Sequence, residues 1–180
     1  MKNLTTYITE KLKIKKSVKS SYNYFPKTRR ELKDLIEQLV KERGNDGDFN
    51  DIDTSEITDM SKLFYNMNEF NGNISKWDVS NVKTMLGMFF GCKLFNQDIS
   101  NWNVSNCENM RYVFFECESF NQNLSNWDVS NGKNMESMFY KCKSFNQDIS
   151  NWNVSNVIDN FEMFYDCPIE KKYQPKFNYN

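Results

Sequence analysis

The residues best suited to chemistry in this 180-residue chain are its thiols, carboxylates and tryptophans, and histidine is missing altogether. Without an imidazole the commonest general base is gone, together with the usual zinc and Ser-His-Asp arrangements. Four of the cysteines, Cys92, Cys117, Cys142 and Cys167, recur at an interval of 25 residues. A structural zinc needs four ligands converging from paired C-x2-C knuckles, and a line of evenly spaced thiols does not converge. If helical turns set the stacking, neighbouring thiols stand about 10 Å apart, beyond the roughly 7 Å between Cα atoms that a disulfide tolerates. The column therefore reads as buried, apolar thiols, and Cys107, standing where Val82 and Val157 stand, supports that reading.

The carboxylates follow a finer pattern. Asp78, Asp98, Asp128 and Asp148 alternate with Asn103, Asn73, Asn153 and Asn123 at the matching places. On strands about 4.8 Å apart this spaces like charges by about 9.6 Å, near the Debye length at physiological salt, so repulsion along a stack is weak. Calcium needs adjacent carboxylates, and the alternation avoids them. The tryptophans, Trp77, Trp102, Trp127 and Trp152, could offer a platform for bases or sugars if exposed. They share a face with Ile and Val, which places them in the core instead. No metal, no cofactor and no enzymatic activity are expected.

The elements that carry these residues are set by a repeat. "FNQDISNWNVSN" begins at Phe95 and again, unchanged, at Phe145, with the near copy "FNQNLSNWDVSN" at Phe120. Phe70, Phe95, Phe120 and Phe145 keep the same 25-residue step, as do Phe89, Phe114, Phe139 and Phe164. An earlier, degenerate copy reads "FNDIDTSEITDMSKLFYNM", with Ile52 at the Trp place and Met67 at the Cys place. A fixed period of this length predicts a solenoid, in which no unit can bury its apolar face alone. Ile99, Trp102 and Val104 have the L-x-x-L-x-L spacing of a leucine-rich repeat, predicting a short strand. Val82, Met85, Met88, Phe89 and Cys92 have the spacing of a short helical stripe. The expected fold is an α/β repeat solenoid, leucine-rich-repeat-like, with short parallel strands alternating with short helical turns behind an N-terminal helical cap.

The run W-[DN]-V-S-N-x-x-x-M-x-x-M-F-x-x-C-x-x-F-N-Q resembles the BspA-like leucine-rich repeat proteins. The resemblance covers residues 49–167 and implies a right-handed solenoid, a role in adhesion or protein binding, and no catalytic residues. The chain departs from secreted members in lacking a signal peptide or anchor at its start. It also has Asn160 where Met85, Met110 and Met135 stand, beside Phe161, which predicts a distorted last unit.

Three segments follow: a basic helical segment and cap over residues 1–48, a solenoid of about five units over 49–167, and a polar tail over 168–180. Residues 1–43 carry a net charge of +7 and the remainder −8, so a basic arm joins an acidic body. Thr28 and Glu31 form a capping box, and Leu32, Leu35, Ile36, Leu39 and Val40 make an apolar stripe before Gly44, predicting an amphipathic helix from Arg29 to Arg43 that covers the first repeat. Residues 1–16 read as a second short helix. The opening "MKNLTTYITEKLKI" is similar to that of otherwise unrelated proteins of large tailed phages of gut bacteria, which implies a docking or packaging tag and, for a phage-encoded chain, association with the virion.

No stretch approaches the roughly 18 apolar residues that span a bilayer, so neither membrane insertion nor secretion is expected, and the location read from the sequence is cytoplasmic. The function expected is a non-enzymatic protein-interaction or structural module. Its candidate contact surface is Lys76, Asp78, Asn101, Asn103, Asn126, Asp128, Asn151 and Asn153, beside the Trp column, and its partner a protein. The alternative is a nucleic-acid or glycan binder using the basic arm or exposed aromatics, which would show strongly salt-dependent association with polynucleotide.

Overall fold

The computed structural model describes residues 21–177. The helix expected within residues 1–16, and the tag read from the opening, lie outside them.

Each unit folds as a succession of tight turns. Trp77 N–H closes on Ile74 O (3.1 Å), Val82 on Val79 (2.9 Å), Met88 on Met85 (3.0 Å), Cys92 on Phe89 (2.9 Å) and Phe95 on Cys92 (3.1 Å). The same closures recur in the next unit, from Trp102 on Ile99 to Phe120 on Cys117. The residues at these corners carry the apolar side chains, so each turn drives two of them inward. The third residue of two successive turns has positive φ: 58° at Gly87 and 72° at Gly91. Type II turns require that conformation, and glycine adopts it without steric cost. In the next unit Tyr112 (φ 60°) and Glu116 (φ 56°) take the same places, each at a cost of about 1–2 kcal/mol.

What offsets that cost is a ladder between units. The N–H groups of Met85, Gly87, Phe89 and Gly91 donate to the carbonyls of Asn109, Arg111, Val113 and Phe115 at 2.8–3.0 Å. Those of Met110, Tyr112, Phe114 and Glu116 donate in turn to Asn134, Glu136, Met138 and Tyr140. Every second peptide points its N–H toward the C-terminal neighbour and its C=O toward the N-terminal one. Over these segments the donors face the C-terminal end of the stack, while just before them the N–H groups of Lys83, Glu108, Lys133 and Ile158 donate the other way, to the carbonyls of Thr58, Lys83, Glu108 and Lys133.

This geometry corrects the expected fold class. The α/β reading fails because, among the described residues, no strand forms: the units meet through isolated parallel bridges such as Thr84 with Asn109 and Asn109 with Asn134, outside the Trp-Val segment. No helical turn forms within the described units either. Positive φ at the third residue of successive turns breaks the run of right-handed residues a helix needs, and the closures of Trp102 on Ile99 and Cys107 on Val104 cut short the run of extended residues a strand needs. Inward corners of consecutive turns give steps of three and one, a spacing that sequence alone does not distinguish from one helical stripe.

The core is two columns of phenylalanine. Phe64, Phe89, Phe114 and Phe139 stack with centroids 5.3, 5.7 and 5.4 Å apart, and each leans on the second column at 4.0–4.2 Å, as Phe89 does on Phe95 (4.0 Å). Units therefore lie much closer together than helical turns, with their diameter of about 10 Å, would allow. The distance argument against disulfides falls with that spacing; what holds the thiols is their bonding, described below.

At the N-terminal end lies the one α-helix among the described residues, α1 (Arg29–Arg43). Thr28 Oγ1 accepts from Glu31 N–H (3.2 Å), while Glu31 Oε2 reaches back to Lys27 N–H (2.8 Å), one residue before the partner of an ordinary capping box. Leu32, Leu35, Ile36 and Leu39 are fully buried. The basic arm finds its acids here: Lys27 pairs with Glu56, Arg29 with Asp59 (3.4 Å) and Arg43 with Asp51 (2.7 Å). At the other end residues 168–177 fold back, with a single 3-10 turn at Lys171–Tyr173, and Tyr173 O accepts from Ile149 N–H (3.0 Å).

Candidate functional site

The eight residues of the expected contact surface form two exposed rows on either side of the buried tryptophans: Lys76, Asn101, Asn126, Asn151, and Asp78, Asn103, Asp128, Asn153. The tryptophans between them are only 3–5% exposed. Each indole N–H is also committed, donating to a carbonyl of the preceding unit: Trp77 to Phe49 O (2.9 Å), Trp102 to Ile74 O (3.3 Å), Trp127 to Ile99 O (3.0 Å) and Trp152 to Leu124 O (2.9 Å). The ladder of indoles is core.

In the second row the Oδ1 atom does one job whether the residue is Asp or Asn. It accepts the N–H of the serine two residues on, from Ser80 to Asp78 (2.9 Å), Ser105 to Asn103 (3.2 Å), Ser130 to Asp128 (3.0 Å) and Ser155 to Asn153 (3.2 Å). Asp98, Asn123 and Asp148 do the same for Ser100, Ser125 and Ser150. The hydroxyl and N–H of that serine hold the carboxyls of Asp98, Asp128 and Asp148 below their ordinary values. Asn151 is partly used by the fold, since its Nδ2 donates to Ser125 O (2.9 Å). A polar hollow of about 260 Å³ opens beside it, lined by Asn123, Ser125, Gln147, Asp148, Ser150 and Asn151.

Other asparagines of the repeat are fasteners between units. Asn96 N–H donates to Asn71 Oδ1 (2.9 Å), Asn121 to Asn96 (2.9 Å) and Asn146 to Asn121 (3.0 Å), while Asn106 Nδ2 donates to Ser80 O (2.8 Å) and Asn131 to Ser105 O (2.7 Å). These bonds account for the asparagines of F-N-Q and V-S-N.

The thiols are donors as well as filling. Cys92 Sγ donates to Phe64 O (3.0 Å), Cys117 to Phe89 O (3.0 Å) and Cys142 to Phe114 O (2.9 Å). Burial pushes all three up, and raises Cys107 to about 12 and the half-buried Cys167 to about 11. These are thiols held protonated, the opposite of an activated nucleophile. Among the described residues no three His, Cys, Asp or Glu side chains gather as a metal site, and no helix is long and apolar enough to cross a membrane.

One row was missed from the sequence. Tyr65, Phe90, Phe115, Tyr140 and Tyr165 stack on the outside at 4.7, 4.4, 4.6 and 4.9 Å. Its signal was present: the residue after the buried Phe column is aromatic in every unit. Because each ring covers its neighbour's face, the row offers edges to solvent along its length and a ring face only at its two ends.

A stack of units repeating at a fixed interval, joined by a backbone ladder, defines a repeat protein. Residues 32–132 and 102–178 match the family described as Mycoplasma protein of unknown function, DUF285, and the chain belongs to that family, which is associated with BspA-like repeat proteins. No curated protein and no solved structure matches.

Proposed function

We propose that the chain is a non-enzymatic protein-binding module of the BspA-like kind. Its contact face is the pair of rows Lys76, Asn101, Asn126, Asn151 and Asp78, Asn103, Asp128, Asn153. The observation that supports this is their exposure: all eight side chains are exposed, while the Trp column between them is buried. The rows repeat at the spacing of the units and present amide and carboxylate groups, which suit hydrogen bonds to a protein surface.

The test is affinity capture from the source cells with the wild-type chain and with an Asn101→Lys, Asn126→Lys variant, whose replaced side chains are exposed and hold no hydrogen bond among the described residues. A protein retained by the wild type and lost from the variant, at equal thermal stability, is the expected result. Equal capture by both would reject this face. Binding to polynucleotide that weakens steeply with salt would reject the protein-binding reading in favour of the basic arm.

A further inference from the structure

The last unit ends the ladder with its donors pointing outward. In earlier units the N–H groups at this place meet carbonyls of the next unit, as Ser137 meets Phe161 O (2.8 Å), Phe139 meets Met163 O (2.9 Å) and Lys141 meets Tyr165 O (2.8 Å). The corresponding N–H groups of Glu162, Phe164 and Asp166 meet no acceptor among the described residues. The side chains around them are apolar where the repeat, Leu86 apart, is polar. Ile158 is 85% exposed in a column that holds Thr58, Lys83, Glu108 and Lys133, and Phe161 is 65% exposed in one that holds Ser61, Leu86, Arg111 and Glu136. Tyr165, 54% exposed, closes the outer aromatic row and has its ring covered on one face only, by Tyr140. The C-terminal segment binds elsewhere on the unit, through Ile149 N–H and Asn146 Oδ1, and leaves these three side chains exposed.

We infer that the C-terminal end of the stack is a docking site for a turn-rich edge of another polypeptide, one that presents backbone carbonyls at every second residue and an aromatic ring to cover Tyr165. Each part of that description is read from the joint already made four times within the chain, of which this surface is the continuation. The row of donors at Glu162, Phe164 and Asp166 decides the occupant. A second copy cannot dock face to face, because donors would oppose donors. End-to-end docking of a second copy would have to break the bond that Arg29 of α1 already makes to Ser61 O (3.1 Å) at the acceptor end. The occupant is therefore a different chain with an uncapped acceptor edge, such as another repeat of this kind. The surface is separate from the Asn and Asp rows, so either proposal can fail alone.

The probe is a fluorescein-labelled peptide with the sequence of residues 133–148, which supplies the acceptor edge formed by the carbonyls of Asn134, Glu136, Met138 and Tyr140. It is titrated into the full chain, and amide exchange at Glu162, Phe164 and Asp166 is followed by NMR. Because a free peptide loses entropy on ordering, the same sequence is also tethered after residue 180 through a Gly/Ser linker, which raises its effective concentration to about millimolar. Saturable binding with exchange at those three amides slowed roughly tenfold or more is expected. The variant Ile158→Lys, Phe161→Glu, which restores the residues of the preceding unit on an exposed surface, should weaken binding by at least about tenfold. Unchanged exchange in the tethered protein overturns the inference. So does a chain that dimerises alone with these amides protected, since a second copy would then be the occupant.

Discussion

Removing a single apolar side chain from α1 should loosen the whole stack. Leu32, Leu35, Ile36 and Leu39 are fully buried against the first unit, and burying a side chain of this size stabilises by about 1.5–3 kcal/mol, hence about 6–12 kcal/mol for the four. Total stabilities of domains are about 5–15 kcal/mol, so the cap is comparable to the margin by which the protein folds. Leu35→Ala should cost about 2–5 kcal/mol, the loss of buried atoms plus the cavity left behind. With a urea m-value of about 2 kcal/mol per molar, the midpoint falls by about 1–2.5 M, read from the fluorescence of the four tryptophans. The loss should begin locally. In Leu35→Ala, amide exchange should accelerate first at Met60, Lys62, Phe64 and Asn66, the donors of the first unit, and later at Met135 and Phe139. A midpoint within about 0.3 M of the wild type would refute the claim that α1 is the cap, because no fully buried leucine is that cheap to remove.

Three further outcomes follow from the same geometry. Trp127→Phe keeps an aromatic ring but removes the indole donor to Ile99 O, which retains its bond from Trp102 N–H, and the lost bond should cost about 0.5–1.5 kcal/mol by chemical denaturation; a neutral result would contradict the indole bond. Native alkylation at pH 8, read by mass spectrometry, should label Cys167 before Cys117 and Cys142, since Cys167 is half-buried and the other two are sealed and bonded to Phe89 O and Phe114 O; the reverse order would refute the placement of the column. Folding lowers the carboxyl pKa of Asp98, Asp128 and Asp148, so their contribution is present above the unfolded value of about 3.9 and is lost as the pH falls through the lower folded values. Asp98→Asn, the residue found at the matching Asn73 and Asn123, should leave stability at pH 7 unchanged and flatten this acid dependence; an NMR titration placing Asp98 at or above an ordinary carboxyl would count against the serine bonds.

The period, the buried columns and α1 were legible because each depends on residue type at a position. Phenylalanine recurring at a fixed interval implies stacking, and Thr28 with Glu31 before an apolar stripe implies a helix start. The backbone of the unit was not legible from the same residues. Met85, Met88, Phe89 and Cys92 satisfy a helical stripe and a pair of turn corners equally well, and the residues that decide between them are not apolar. Gly87 and Gly91 point to positive φ in one unit, but the others place Lys62, Tyr112, Ser137 and Glu162 at the Gly87 position, residues whose types carry no such signal. The conformation is imposed on them by the ladder from neighbouring units, a long-range cause that no local propensity records. The outer aromatic row was overlooked for a simpler reason: Tyr and Phe alternate in it irregularly, and only the shared ring, not the letter, repeats.

The Asp and Asn alternation illustrates how far type and role can separate. It reads in the sequence as a charge pattern, and the structure gives it a different basis. Either residue supplies the Oδ1 that accepts a serine N–H, so the exchange is free to occur wherever the remaining atom faces solvent. That freedom ends where a side chain must do something no isostere can do, and such positions are the indole donors, the thiol donors and the Asn fasteners, which recur from unit to unit. By the same logic, departures from the column at the last unit are informative. Asp or Asn in the exposed rows keeps a bond, whereas Ile158 stands in a column of polar residues and Phe161 in one that is polar but for Leu86, and both are left largely exposed. A largely exposed apolar side chain is a cost in solubility unless something covers it, and here it surrounds N–H groups that meet no acceptor among the described residues. Two unsatisfied features of different kinds, apolar area and backbone donors, thus coincide at the end of the stack that no helix among the described residues covers.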